Sequence, residues 1–357
     1  ATLAMAWAAQ HGWPVVNFDL GPLFLAKSAA LLRAGGTVAM VQSASLFTLR
    51  SDEGHTLRRH LFERFAWDEV TNFTILRYGL YDAAKGPSAL VVFRRASPEP
   101  GEPLLYICPK PLHDPQAQER FVVDPTDVHE VTHEEAAHDP AVWTALLLGG
   151  RRDLDLLRRL ARLPTLASLR RDGRVQTRDG VIPGDRKCVL DGRVVSKTRH
   201  GKKVPETLPD MREERYFHGA DFPEDFTVYL DRTSVPKWHD PRIDARQSYN
   251  FDAFRMPQLL VRRSLHRAEG RMRALRVRGD ASPWGVICQK TCMTVHDPGG
   301  GAALLDAAWV VFNSAAATWF LAMTSERLAY GRQEALKKQL LEVPVPQPVA
   351  PVDLPSL

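Results

Sequence analysis

The sequence predicts an α/β fold that passes through a helical segment into an irregular α+β region. Three observations predict it. Residues 1–96 alternate between helical and strand patterns, residues 139–171 carry an amphipathic helical period, and residues 172–300 are punctuated by Gly and Pro between short β-type runs. With 357 residues and 44% hydrophobic composition the chain can fill more than one core.

Gly21–Arg33 reads as a helix stopped by Gly35-Gly36, and Thr37–Gln42 as the strand after it. Leu57–Phe65 reads as a second helix and Trp67–Phe73 as a short strand. Ser88–Phe93 is a nearly continuous apolar run, as in a central strand. This alternation predicts a layered sheet covered by helices. Residues 97–138 are mixed, with a strand at Leu104–Cys108. From 139 to 171 two or three short helices are expected, broken at Gly149-Gly150 and Pro164, with Leu154, Leu157, Leu160, Ala161 and Leu163 on the apolar face. Ala303–Met323 and Gln333–Leu341 return to helix, and the Pro-rich tail 346–357 runs extended.

The excess of 47 Lys+Arg over 42 Asp+Glu is small, so the placement of charge matters more than its sum. Cys108, Cys188, Cys288 and Cys292 suggest no disulfide scaffold in a chain of this length and fit a reducing cytoplasm. Cys288, Cys292 and His296 lack a second close Cys/His pair, which argues against zinc. The apolar run at 302–323 contains Asp306, Asn313 and Ser314 and is expected to be buried rather than membrane-spanning. Asn313 is expected to be a satisfied polar group bracing that helix, and Trp238, beside His239-Asp240, to pack.

Basic residues cluster in two places. Arg262, Arg263, Arg267, Arg271, Arg273, Arg276 and Arg278 face only Glu269, and the spacings 271/273 and 276/278 place pairs on one side of a strand, where a stripe can track phosphates. Arg262 and Arg263 are the candidates for base readout. Lys197, Arg199, Lys202 and Lys203 surround Gly201 in a second segment able to reach a groove. Gly180 and Gly184 most simply permit tight turns.

Several blocks, taken in order, resemble the C-terminal part of an adenine-N6 DNA methyltransferase of the type I and type IIG restriction–modification kind. Leu31–Leu46 is similar to the family's helix, Gly-Gly turn, strand and P-A-S loop, with Gln42 where proline is usual. Leu57–Phe62 resembles the family's next helix, Leu76–Tyr81 its stretch ending in an L-F pair, and Ser88–Arg95 its closing strand. Gly180–Lys187 resembles a G-I-x-T-G opening, Phe254–Arg263 a P-K-I-L-V-R strand, Val310–Ser314 an L-L-N-S helix and Leu340–Pro346 a closing L-P-I-P. The resemblance implies the second half of a Rossmann-like methyltransferase sheet at 1–138, a helical linker at 139–171 and a DNA target-recognition domain at 172–345. It further implies that the Gly180/Gly184 loop approaches the target base, with Arg186 or Lys187 on its phosphate.

The family's S-adenosylmethionine loop and its Asn-Pro-Pro-Tyr tetrad are absent from the sequence. The chain also begins inside a helical pattern. The expectation is therefore a piece of an enzyme acting on double-stranded DNA, with cofactor loop and tetrad supplied by a preceding region or a partner chain, and nuclease or helicase subunits as further partners. The alternatives are a noncatalytic specificity or adaptor subunit and an unrelated enzyme built on the α/β block.

Overall fold

A computed structural model describes residues 2–346 apart from 17–18, 81–85, 112–120, 184–186, 200–201, 226, 245–250, 267–268 and 330–332. The Pro-rich tail expected beyond 346 lies outside the described residues. The chain divides into two compact units. One comprises Ala1–Arg159 with Ala322–Arg332, the other Leu160–Leu321 with Gln333–Leu357. The segment 139–171 is shared between them at Arg159/Leu160.

The first unit is built on a five-stranded mixed sheet. Its strands are β1 (Thr37–Ser43), β2 (Ala66–Asn72), β3 (Ser88–Arg94), β4 (Pro103–Ile107) and β5 (Val128–Thr132), in the order β1-β3-β2-β4-β5. β3 runs antiparallel to both neighbours, β2 and β4 are parallel, and β5 is antiparallel to β4. The apolar run predicted as a central strand is β3, inserted between β1 and β2.

One sheet face carries Val38, Phe93, Val91, Trp67, Val70 and Tyr106, all buried. Helices Asp52–Arg64 and Ala141–Leu148 cover it. Trp67 lies 4.5 Å from Phe62 and 4.8 Å from Phe93 between ring centroids, and Trp143 stacks on Phe47 at 4.6 Å. Tyr106 donates to the Trp143 carbonyl at 2.8 Å and accepts from Asn72 Nδ2, so its hydroxyl enters the core fully bonded. The opposite face carries Ala39, Val41, Leu90, Val92 and Leu105, with Val41 54% and Leu105 39% exposed. The layered sheet covered by helices that the alternation predicts is thus covered, among the described residues, mainly on one face. Antiparallel neighbours need no crossover helix between them, so none is required on the second face.

Helix Asp52–Arg64 starts earlier than the hydrophobic period indicated. Ser51 caps it by accepting from Gly54 N–H at 3.1 Å, Asp52 and Glu53 occupy the first turn, and Arg64 the last, so charges complement the helix dipole at both ends. Three helices, Ala141–Leu148, Arg151–Leu160 and Leu166–Arg171, are separated at the two expected breaks, Gly149-Gly150 and Pro164. Leu154 and Leu157 are buried, whereas the second helix ends at Leu160 and Leu163 stays 44% exposed.

The second unit holds another five-stranded sheet. Its strands are β6 (Gln176–Asp179), β9 (Tyr229–Asp231), β10 (Gln258–Arg262), β11 (Ala274–Arg278) and β12 (Cys292–His296), in the order β9-β11-β10-β12-β6. β7 (Val194–Arg199) and β8 (Lys202–Thr207) form a separate antiparallel hairpin. Phe217, Phe222, Trp238, Phe254, Leu260, Leu275 and Val277 share one core. Trp238 stacks on Tyr216 at 4.6 Å, a packing role.

The long apolar run near the end is two helices, Ala302–Asn313 and Ala315–Thr324, bent by 71° at Ser314. Ser314 adopts an extended backbone conformation and returns its hydroxyl to the Val311 carbonyl at 2.6 Å. Among the described residues no single helix is long and apolar enough to cross a membrane. The helix expected over Gln333–Leu341 is confined to Lys337–Leu341, because Glu334 bridges to Ser264 and the Ala335 N–H bonds the Arg263 carbonyl.

Candidate nucleic-acid interface

Strand register brings distant segments to one end of the second sheet. β12 begins at Cys292 opposite Arg262, the last residue of β10, and Asp179 at the end of β6 pairs with Met293. β11 begins at Ala274 opposite Val261. Gly180, the turn Gln289–Thr291, Arg262–Arg263 and the segment preceding Ala274 therefore share that end. Three backbone bonds tie the first two together: Gly180 N–H to Cys292 carbonyl at 2.9 Å, Val181 N–H to Cys288 carbonyl at 2.7 Å, and Lys290 N–H to Val181 carbonyl at 2.9 Å. A methyl group on Gly180 would fall inside contact distance of the Gln289 and Cys288 carbonyls. Close approach of two backbones, rather than a turn conformation, is what requires glycine at 180.

The seven arginines separate by environment. Arg263 is buried and faces Glu334 at 2.9 Å, Asp179 at 3.6 Å and the Lys290 and Ala335 carbonyls. Arg273, 2% exposed, pairs with Glu269 at 3.1 Å and donates to the Asp225 and Thr227 carbonyls. Arg276 pairs with Asp306 at 3.0 Å and donates to the Gln258 carbonyl. In this conformation those three present no free fork to phosphate. For Arg276, and for Arg273 just ahead of it, the reason is the position of β11. Leu275 and Val277 enter the apolar core, while Ala274 and Arg276 meet helix Ala302–Asn313, so both faces of the strand are covered. A guanidinium held there needs internal partners.

Arg262, Arg271 and Arg278 differ, and among the described residues no carboxylate pairs with them. Arg271 is exposed ahead of β11. Arg262 is half-buried. Arg278 is exposed at the opposite end of the sheet and lies over Tyr229, 3.4 Å from the ring centroid. Arg267 lies outside the described residues.

Lys290, which the sequence reading missed, is exposed on the turn beside Gly180. Its sequence signal was weak: one lysine between two cysteines. In the second basic segment, Arg199 of β7 pairs with Lys202 of β8, Thr198 with Lys203 and Lys197 with Val204. Lys187 opens the strand Lys187–Val189, paired with Asp244. Gly184, Arg186 and Gly201 lie outside the described residues.

Two side-chain amides hold this framework. Asn313 accepts from the Ala274 N–H at 3.1 Å and donates to the Ala274 carbonyl at 3.0 Å and the Trp309 carbonyl at 2.9 Å. Gln258, fully buried, accepts from the Val286 N–H at 2.8 Å and donates to the Val286 carbonyl and Thr294 Oγ1, each at 2.9 Å. Each amide acts as a one-residue strand where backbone pairing stops. Burial pushes the Cys292 thiol up to about 12 and holds that of Cys288 well above its ordinary value. Both are neutral, buried groups, and the described residues contain no cluster able to hold a metal.

No protein-family model matches the chain. No curated protein matches it either. Among solved structures, the type IIG restriction endonuclease BpuSI aligns over 96% of this chain and 44% of its own, with 11% identity and a TM-score of 0.33. A structure of a type I R-M system aligns over 40% of this chain and 22% of its own, with 16% identity and a TM-score of 0.20. The chain thus spans less than half the length of the BpuSI chain it is compared with. Both of these structures are of restriction–modification proteins.

Proposed function

We propose that the chain is the DNA-recognition part, with part of the catalytic sheet, of an S-adenosylmethionine-dependent adenine-N6 DNA methyltransferase in a restriction–modification or other antiphage system. The observation that carries this reading is the end of the second sheet. Arg262, Arg271 and Lys290 sit on segments that share that end, without described carboxylate partners, next to the Gly180 loop that the family resemblance assigns to the target base. Unpaired cations at converging loops are the electrostatic footprint of a polyanion site.

The first unit supports the methyltransferase half. β1 ends the sheet, and among the described residues no strand pairs with its outer edge. Exposed Val41 on β1 and exposed Phe24 and Leu31 on helix Gly21–Leu31 add apolar surface to this part of the unit. An open edge and apolar surface are what a sheet awaiting further strands presents.

On this reading the chain is not expected to hold S-adenosylmethionine by itself. Gly35-Gly36 precedes a strand instead of coming after one, and the two N–H groups are taken by the Arg95 and Arg33 carbonyls. The cofactor, which supplies the methyl group, and the adenine-holding tetrad belong to a preceding segment or a partner chain.

Two measurements test the reading. Fluorescence anisotropy of the 357-residue chain on duplex DNA across a salt series should give an affinity that falls steeply with salt. Arg271→Ala and Lys290→Ala should each lower the log–log slope by about one unit. Absence of duplex binding at low salt refutes DNA recognition. Calorimetric titration with S-adenosylmethionine should give no saturable heat, and stoichiometric micromolar binding would overturn the division of the site between segments.

A further inference from the structure

We propose that Arg262 reads the major-groove edge of a guanine, while Arg271 and Lys290 hold phosphates. The inference rests on the DNA-recognition reading above and divides the labour within it.

A guanidinium taken from water is ordinarily met by a carboxylate. Arg263, Arg273 and Arg276 obey that rule, as does Arg232 with Asp280 and Glu214. Arg262 does not. It is half-buried, yet among the described residues it forms no ion pair. Its Nε donates to Ser264 Oγ at 3.0 Å, and its guanidinium carbon lies 5.5 Å from the centroid of the Phe222 ring. Phe222 is buried and packs edge-on against Phe217 at 6.1 Å, so the platform is itself fixed. The Arg262 N–H bonds the Arg273 carbonyl at 3.0 Å on one side, and Cys292 of β12 pairs with Arg262 on the other.

With Nε engaged, the donors left to Arg262 are Nη1 and Nη2, on a guanidinium held by the Ser264 bond and lying over the Phe222 ring. Phosphate neutralisation needs charge and tolerates mobility, which suits exposed Arg271 and Lys290. A held planar fork matches two adjacent acceptors in one plane, and guanine N7 and O6 are that pair in the major groove. Arg263, one residue on, has the same side-chain chemistry but spends its fork on Glu334 and Asp179. The structure thus separates two residues that the sequence leaves equivalent.

The test is selection from a randomised duplex library by the full 357-residue chain, with sequencing of the bound fraction, for the wild type and for Arg262→Lys, Ser264→Ala and Arg271→Ala. The wild type should enrich guanine at one position. Arg262→Lys keeps the charge and removes the fork, so preference at that position should fall roughly 5- to 100-fold while the others persist. Ser264→Ala keeps the arginine and frees its Nε, so the same preference should weaken without a change in salt slope. This second variant carries the test if Arg262→Lys lowers thermal stability. Arg271→Ala should reduce recovery of all sequences alike.

Retention of the guanine preference in both Arg262→Lys and Ser264→Ala overturns the assignment. So does binding by the wild type without a guanine preference, or an equal loss of preference at every position in the variants. Failure of the wild type to bind any duplex overturns the DNA-recognition reading itself, and this inference with it.

Discussion

Replacing Asn313 by alanine should remove a hydrogen-bonding bridge that no neighbouring backbone can replace. β11 extends past its neighbour β9, which pairs with Arg276 to Arg278 and leaves Ala274 uncovered on that side. The Asn313 amide supplies both the acceptor and the donor for Ala274, and Thr318 Oγ1 likewise accepts from the Met272 N–H at 2.9 Å. Ala274 is fully buried, so water cannot take over. An unsatisfied buried backbone group costs about 1–3 kcal/mol, and Asn313→Ala strands an N–H and a C=O together. Because the asparagine is itself only half-buried, partial hydration should hold the total to about 2–4 kcal/mol. Asn313→Asp is the sharper variant: it keeps an acceptor for the N–H but turns a second oxygen on the Ala274 carbonyl, so it should not rescue. Urea denaturation gives the stability, and amide exchange at Ala274 and Met272 localises it. A loss below about 0.5 kcal/mol in Asn313→Ala, or full stability in Asn313→Asp, would refute the reasoning.

Gly180→Ala should cost about 2–3 kcal/mol, since the clashing atoms are backbone carbonyls that cannot rotate away, and should weaken duplex binding by displacing the Lys290 turn. Gly79→Ala, with open space around it, should stay within about 0.5 kcal/mol in the same urea assay; equal effects at both positions would show that the 180 contact is slack. In the first unit, Glu135 takes Arg151 at 2.9 Å, Arg158 at 3.0 Å and the Thr132 N–H at 3.3 Å. Burial alone would raise its pKa, but these donors outweigh burial and lower it from the ordinary 4.5. A lowered carboxylate pKa contributes stability above the ordinary value, and that stability is lost as pH falls through the lowered one. Both arginines are more than a third exposed, so Glu135→Gln should cost about 1 kcal/mol at neutral pH. The gap from wild type should close in acid, and a pH-independent gap in urea midpoints would exclude the ionic origin.

The sequence by itself determined the local elements. The nearly continuous apolar run at Ser88–Phe93 marked a central strand, and Gly149-Gly150 and Pro164 marked breaks in the helices around them. It also marked Asn313 as a polar group needing partners. Helix starts set by caps were less legible, since Ser51 carries no hydrophobic period. Tertiary structure decided which arginines are available. Arg262 and Arg263 are adjacent, and 273 and 276 sit in the same basic run as 271 and 278, so composition and spacing cannot distinguish them. Glu269 is close in sequence to Arg273, but the other partners, Asp179, Asp306, Glu334 and the Asp225 carbonyl, lie farther away and meet these arginines only in the folded sheet. A guanidinium's cost of burial is set by those partners, and the partners are a property of the folded sheet, not of the segment that carries the charge.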